Sequence, residues 1–183
     1  VWDDQNNNGI QDAGEPVIAG ATVKLYADAN ADNIPDGVAQ QTVLTTPAGL
    51  YAFTGIIPGN YIVGVTLPAG YTAGATTATS PLPNNDDNTD NNGVIVVSGE
   101  LRSNNISLSA GNEPTSDGDG NNGNLTLDFG LKGTGSIGDF VWNDCNGNGR
   151  QDASQSGLAG VEIEITYANG NPVIDPVTGT PIT

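Results

Sequence analysis

The chain has 183 residues and a formal net charge of −17, from 21 acidic and 4 basic side chains, and it has no histidine. Four cations cannot neutralise a phosphate backbone or bind an anionic membrane surface, which argues against both partners. Without histidine, and with Cys145 as the single cysteine, histidine-based triads and an internal disulfide are excluded. A chain this acidic instead attracts metal cations.

The local sequence pattern predicts an all-β fold. Short β-branched segments alternate with Gly, Pro, Asn and Asp clusters, and no window has the apolar period of a helix. The predicted strands cover residues 21–27, 40–46, 50–55, 60–67, 94–99, 104–109 and 124–131. Strands at this spacing favour a β-sandwich, in which Tyr51, Phe53, Tyr61 and Val63 supply core side chains on neighbouring strands. No run approaches the ~18 apolar residues of a membrane span, so no membrane insertion is expected.

Residues 4–15 read DQNNNGIQDAGE, which fits the calcium-loop pattern D-x-[DN]-x-[DN]-G-x₅-E. Calcium takes six to eight oxygen ligands, and alternate side chains of such a loop point inward to supply them. Gly9 permits the sharp turn. The alternative is a loop of Asx turns without metal. The candidate ligands are Asp4, Asn6, Asn8, the Ile10 carbonyl, Asp12 and Glu15.

Three further clusters alternate acidic and amide side chains. Residues 28–36 resemble the first loop but have no closing Glu, while residues 86–92 and 117–124 are looser. The last two lie in segments, 81–93 and 111–124, so poor in apolar side chains that they are expected to need a ligand to become ordered. For each cluster the alternative is a solvated acidic loop. The candidate ligands are Asp28, Asn30, Asp32, Asp36, Asp86, Asn88, Asp90, Asp117, Asp119 and Asn121.

The chain repeats itself. Residues 1–25 and 141–165 align at a constant offset of 140, with Trp2 matching Trp142. We therefore predict a tandem repeat, with one domain over 1–132 and the incomplete start of a second over 133–183. No leader sequence opens the chain, so we expect a mature protein or an internal piece of a longer one.

The repeated loop, residues 144–155, differs at its last position. Gln155 stands where the first loop has Glu15, and an amide is neutral and usually monodentate. We predict weaker calcium affinity here, and a joint formed with the glycine-containing linker 131–135. The candidate ligands are Asp144, Asn146, Asn148, the Arg150 carbonyl, Asp152 and Gln155.

The combination of motifs carries a family resemblance. A Trp before the calcium-type loop, GLYAF at 49–53, PGNYIV at 58–63 and DFG at 128–130 together resemble the B domains of serine-aspartate-repeat surface proteins. The resemblance covers nearly all of 1–132 and restarts at Gly135. It implies an Ig-like, prealbumin-like Cna B-type sandwich that binds several Ca²⁺ ions and stacks in stiff tandem rods.

The resemblance also implies a location and partners. Members are secreted bacterial cell-wall or surface modules, usually without catalysis, that carry adhesive tips outward. The expected partners are neighbouring copies, and a host or cell-surface protein or glycan reached through other domains. Some related domains form an internal Lys–Asn isopeptide bond, which here would join Lys24 to Asn124 or a nearby Asn. The alternative is that Lys24 is a surface charge.

These observations favour a non-catalytic, calcium-rigidified spacer in an extracellular adhesin. The alternative is a segment of an extracellular filament, in which a neighbouring copy completes residues 133–183 by β-strand addition. A binding module would need Trp2 or Trp142 as an exposed platform, and each abuts a metal loop. A glycosidase would need two carboxylates across a cleft, whereas the acidic side chains cluster within loops.

Overall fold

The computed structural model describes residues 1–74, 89–111, 113–115, 117, 123–135, 137–174 and 180–182. The chain divides into two compact units, Val1–Gly135 and Ser136–Thr183. The described residues contain strands, turns and bridges but no helix, which confirms the all-β prediction. Within those residues, nothing forms a helix with the length and apolar character needed to cross a bilayer.

The strands of the first unit form two sheets. The described strands are β1 (Trp2–Asp3), β2 (Thr22–Ala27), β3 (Gln41–Leu44), β4 (Gly59–Thr66), β5 (Tyr71–Ala73), β6 (Ile95–Val97), β7 (Glu100–Arg102), β8 (Ile106–Leu108) and β9 (Gly130–Gly133). Strand β4 is the centre of the larger sheet, whose order is β3-β2-β4-β7-β6, with β8 also paired to β4. The smaller sheet has the order β1-β9-β5, and β1 runs parallel to β9.

One apolar core joins the two sheets. Val23 of β2 pairs with Val65 of β4, and both side chains are fully buried. Leu101 of β7 joins them, and Leu131 of β9 and Phe129, which lies just before β9, reach the same core. Because these side chains all lie outside the acidic loops, the core of the sandwich is built without them.

The prediction of a strand over residues 50–55 is wrong. This segment is irregular, although Tyr51 and Phe53 still pack against the core, with their ring centroids 5.8 Å apart. Its backbone bonds go into a turn, in which the Thr46 N–H donates to the Leu50 carbonyl at 2.8 Å. The alternation of apolar side chains therefore records burial here and not a strand ladder.

The predicted last strand, 124–131, begins only at Gly130. The backbone N–H of Asp128 donates to Asn92 Oδ1 at 2.8 Å, and that of Gly130, the first residue of β9, donates to Asn91 Oδ1 at 3.2 Å. These side chains from a distant segment replace the strand ladder. Both asparagines are buried almost completely.

The predicted strand 94–99 is the start of a hairpin. Its turn lies at Ser98 and Gly99, whose φ angles of 51° and 77° suit the tight connection between β6 and β7. Strands β1, β5 and β7 were not predicted, because two or three residues are too few to show an alternating pattern. They still position the loops, since the first loop emerges directly from β1.

Lys24 of β2 belongs to a buried charge cluster. The side chain of Glu100 is 6% exposed and accepts bonds from Lys24 Nζ at 2.9 Å and Arg102 Nε at 2.7 Å. The Tyr26 hydroxyl donates to the same carboxylate at 3.0 Å. Gly64 of β4 leaves the room for it, since a Cβ there would overlap the Glu100 side chain. Lys24 is thus an ion-paired, partly exposed side chain, and the isopeptide bond stays an alternative that only the resemblance implies.

The described part of the second unit contains bridges rather than strands of two or more residues. They join Trp142 to Gly157, Thr166 to Pro172 and Ile174 to Pro181. Ile163 occupies the repeat position of the buried Val23 but is 53% exposed. No described strand of this unit pairs with it as β4 pairs with Val23.

Candidate metal centres

The first loop, residues 4–15, is closed at its base by backbone bonds. It leaves β1 and returns alongside it, so that Asp3 N–H donates to the Pro16 carbonyl at 2.8 Å and Ile18 N–H to the Val1 carbonyl at 3.0 Å. Trp2, which is fully buried, forms a bridge with Val17 at the same place. The small sheet therefore fixes both ends of the loop.

Asp4 organises the interior of the first loop. Its side chain is fully buried, and its two oxygens accept the backbone N–H groups of Asn8 at 3.0 Å and Gly9 at 2.9 Å. The amides of Asn6 and Asn8 both donate to one oxygen of Asp12, at 2.7 and 2.8 Å. Four predicted ligand residues are thereby brought together.

Glu15 closes the first loop with both of its oxygens. Oε1 accepts the N–H of Gln5 at 2.9 Å, and Oε2 accepts that of Asp12 at 3.1 Å. Ile10 N–H donates to Asn8 Oδ1 at 2.8 Å. The turn through these residues places Gly9 at a φ of 75°, where a side chain would be strained. The structure thus joins the predicted residues of the first loop in one hydrogen-bonded network.

The second loop, residues 28–36, has the same construction. Asp28 is fully buried, and its two oxygens accept the N–H groups of Asp32 and Asn33, each at 3.1 Å. Asn33, with a φ of 66°, stands where the first loop has Gly9. Asparagine tolerates this left-handed conformation better than most residues.

The second loop is closed by Asp36, although it lacks a glutamate. Asp36 Oδ2 accepts the N–H of Ala29 at 2.7 Å, which is the role that Glu15 has toward Gln5 in the first loop. Asn30 donates to Asp32 at 2.9 Å, so all four predicted ligands of this loop are brought together. A shorter loop therefore reaches the same closure with a shorter acid.

Asn105 also belongs to the second loop, and the sequence pattern gave no signal for it. Its amide donates to Asp28 Oδ2 at 2.8 Å, and its backbone N–H donates to Asn33 Oδ1 at 2.7 Å. It lies 77 residues from Asp28, just before β8. Only the pairing of β8 with β4 brings it to the loop, so no local spacing could have found it.

Replacing Asn105 with alanine should loosen the second loop and leave the first unchanged. The charge-assisted bond to the buried Asp28 would be lost, at a cost of about 1–3 kcal/mol. Hydrogen exchange should therefore speed up at the Asp32 and Asn33 amides. The Gly9 amide of the same molecule is the internal control, and equal protection of all three amides in both proteins would contradict the assignment.

The third loop, residues 144–155, repeats the base and the interior of the first. Trp142 bridges Gly157, and Asp144 Oδ2 accepts the Gly149 N–H at 2.9 Å. This bond is the main cause of a lowered pKa for Asp144. The equivalents of the two loop asparagines, Asn146 and Asn148, both donate to Asp152, at 2.8 and 3.0 Å, and Arg150 N–H donates to Asn148 Oδ1 at 2.7 Å.

Asp90 lies against the first loop. It is buried and bridges Ile10, while Gln11 N–H donates to the Thr89 carbonyl at 2.7 Å. The Asn92 amide donates to Asp90 Oδ2 at 3.1 Å. A segment that resembled an independent acidic cluster in the sequence thus forms one wall of the first loop.

The remaining cluster is only partly described. Asp117 Oδ2 accepts the N–H of Leu125 at 3.0 Å, so this acid fastens the chain that leads to β9. The predicted ligands that lie outside the described residues are Asp86, Asn88, Asp119 and Asn121.

The donor chemistry of the first two loops fits a calcium ion. Each loop combines carboxylates with amide and backbone oxygens, the hard ligands that calcium takes, and neither loop contains a basic side chain. In the part of the chain that the structure describes, no three acidic or cysteine side chains converge on a point. The reason is that asparagines alternate with the acidic residues in both loops, so the candidate ligands of each loop are carboxylates and amides together.

The described residues of the first unit form an all-β domain with two sheets, and acidic loops leave its strands. The SdrD B-like domain model matches residues 1–112 and 135–181, and the chain belongs to this family. One matched segment begins before Trp2 and the first loop, and the other begins before Trp142 and the third loop. The match therefore covers the first unit up to the end of β8 and most of the second unit.

The chain is also similar to several serine-aspartate repeat-containing proteins. The chain is 37% identical over 174 residues to serine-aspartate repeat-containing protein D of Staphylococcus aureus (strain Newman). It is 33% identical over 174 residues to protein F of Staphylococcus epidermidis and 34% identical over 175 residues to protein C of S. aureus (strain N315). These alignments cover 93%, 94% and 94% of this chain but only 11%, 8% and 15% of the relatives.

Proposed function

We propose that this chain is a non-catalytic, calcium-binding structural repeat of a secreted bacterial surface protein, and that it acts as a rigid spacer in an adhesin. One observation carries the proposal: the first and second loops are built in the same way around a fully buried aspartate, Asp4 or Asp28, at the edge of an independent apolar core. Two matching acidic loops on a packed sandwich suit a module that is stiffened by ions.

Residues of each loop would hold one calcium ion. In the first loop these are Asp4, Asn6, Asn8, the Ile10 carbonyl, Asp12 and Glu15. In the second they are Asp28, Asn30, Asp32 and Asp36, with Asn105 holding Asp28 in position. A bound cation would supply positive charge among the oxygen ligands of each loop.

Charge supports this proposal. At a formal net charge of −17 the chain repels itself, and the repulsion opposes compact loops. Each calcium ion would cancel two of these charges and tie the two ends of a loop together. Because a preformed site rarely exists in the unfolded chain, binding energy of this kind becomes stabilisation of the folded loop.

The sequence repeat and the family support the spacer role. The family model matches two segments of the chain, and the relatives are about seven to twelve times longer than the part this chain matches. A module with its core in the strands and its ions in the loops can transmit force along an array on the outside of a cell. Neighbouring copies would be its direct partners, while other domains would bind a host protein or glycan.

Calcium removal tests the division of roles between loops and core. A chelator should increase proteolytic cleavage within residues 28–36 while the far-ultraviolet circular dichroism of the strands persists, because locally ordered loops open before the core unfolds. Magnesium added in place of calcium is the control and should restore little protection. Simultaneous loss of the strand signal and the loop protection would contradict the proposed division.

A further inference from the structure

The third loop has Gln155 where the first loop has Glu15. This change replaces one acceptor oxygen of the carboxylate with the NH₂ donor of an amide. Gln155 Oε1 accepts the N–H of Asp152 at 2.9 Å. In the first loop the equivalent N–H, that of Asp12, is accepted by Glu15 Oε2 at 3.1 Å. In both loops, therefore, one side-chain oxygen of the closing residue accepts this backbone N–H.

Glu15 and Gln155 differ in their second terminal group, which is an oxygen in Glu15 and an NH₂ group in Gln155. With its oxygen committed to Asp152, Gln155 has only an NH₂ group left, because the flipped amide would place its donors against the N–H donor of Asp152. That NH₂ group donates to Asp144 Oδ1 and Asn146 Oδ1, each at 3.3 Å. The hydrogens thus point at Asp144 Oδ1 and Asn146 Oδ1, whose counterparts in the first loop, Asp4 Oδ1 and Asn6 Oδ1, receive no such bond from the closing residue, because the Glu15 carboxylate has no N–H.

A neighbouring backbone group responds to the change. In the first loop Gln5 N–H donates to Glu15 Oε1 at 2.9 Å. Its counterpart in the third loop, Cys145 N–H, donates instead to the Asn143 carbonyl at 2.9 Å. An amide NH₂ group cannot accept this bond, so the backbone takes a different partner. Two independent contacts therefore agree on the orientation of Gln155.

We propose that the third loop is closed by Gln155 and not by calcium. The amide joins Asp144, Asn146 and Asp152 by hydrogen bonds, and it replaces an acid with a donor, so this set of groups does not fit the ion as the first loop does. The prediction of a weaker third site then becomes the prediction of a metal-independent loop. The inference rests on the proposed function only for the calcium dependence of the first loop.

Amide hydrogen exchange in the whole 183-residue chain separates the two claims. Gly9 and Gly149 are equivalent glycines whose N–H groups are held by Asp4 and Asp144 at 2.9 Å. On removal of calcium, exchange should accelerate at least about tenfold at Gly9 and stay within about twofold at Gly149. Acceleration at both would overturn the inference, and acceleration at neither would overturn the proposed function.

Reciprocal variants test whether residue 155 is responsible. Gln155→Glu should make protection of Gly149 depend on calcium, and Glu15→Gln should make protection of Gly9 independent of it. Calcium titration of the Gln155→Glu protein should also show one additional bound ion. If Gly149 stays insensitive to calcium in Gln155→Glu and the stoichiometry does not rise, Gln155 is not the cause and the inference fails.

Discussion

Replacing Asp4 with alanine is expected to abolish calcium binding by the first loop and to destabilise the chain even without calcium. Asp4 is fully buried and accepts the N–H groups of Asn8 and Gly9; the Asn8 N–H also bonds to Asn6 Oδ1, but the Gly9 N–H would lose its acceptor, at a cost of about 1–3 kcal/mol. With calcium at about a hundredfold above its dissociation constant, the lost binding adds about 2.7 kcal/mol. Thermal unfolding with and without chelator measures both parts.

Asp144→Ala is the matched control for this change. It removes the same loop position from the second unit, where Gln155 ties the loop by amide hydrogen bonds. The variant should leave both the calcium stoichiometry and the calcium-dependent rise in melting temperature at the wild-type values. Wild-type calcium binding by the Asp4→Ala protein would remove Asp4 from the ligand set.

Glu100→Gln is expected to lower the free energy of unfolding by about 1–3 kcal/mol, whether or not calcium is present. The Glu100 side chain is 6% exposed and accepts bonds from Lys24 and Arg102, whose side chains are 30% and 19% exposed, so solvent screens part of the loss. The glutamine would also turn an NH₂ donor toward Lys24, Arg102 or the Tyr26 hydroxyl. Denaturant unfolding measures the loss.

The same carboxylate sets an acid dependence. Burial raises the pKa of Glu100, but the hydrogen bonds from Arg102, Lys24 and Tyr26 outweigh it and leave the pKa below 4.5. Its stabilising contribution is therefore complete above the ordinary pKa and is lost as the pH falls through the lowered one. Glu100→Gln should flatten this part of the stability profile. The exposed Glu162→Gln is the control, and equal profiles for the two variants would contradict the role of the cluster.

The loops could be anticipated because their information is local. Each predicted ligand of the first loop lies within twelve consecutive residues, and the spacing itself dictates which side chains turn inward. Two other residues reach the loops through distant parts of the chain. The pairing of β8 with β4 brings Asn105 to the second loop, and a bridge to Ile10 brings Asp90 to the first. The hydrogen-bonding direction of Gln155 also needed coordinates, because the sequence shows only the loss of a charge.

The strand predictions also succeeded where local pattern was enough and failed where contacts with distant residues decide the structure. Residues 21–27 and 60–67 were predicted almost to their ends, because β2 and β4 pair along their length and have one face in the core. Residues 50–55 have the same alternation but no strand partner. At Asp128 and Gly130 the backbone N–H groups donate to the side chains of Asn92 and Asn91. A period of two reports which side chains are buried, and strand partners decide whether a ladder forms.

Calorimetric calcium titration of the Asp4→Ala, Asp28→Ala double variant beside the wild-type chain tests the central claim most directly. The claim is that the two loops built around these buried aspartates are calcium sites on a sandwich whose core is independent of them. The account predicts that the double variant binds two fewer ions than the wild type while it retains the circular dichroism of the strands. An unchanged stoichiometry in a folded double variant would contradict it.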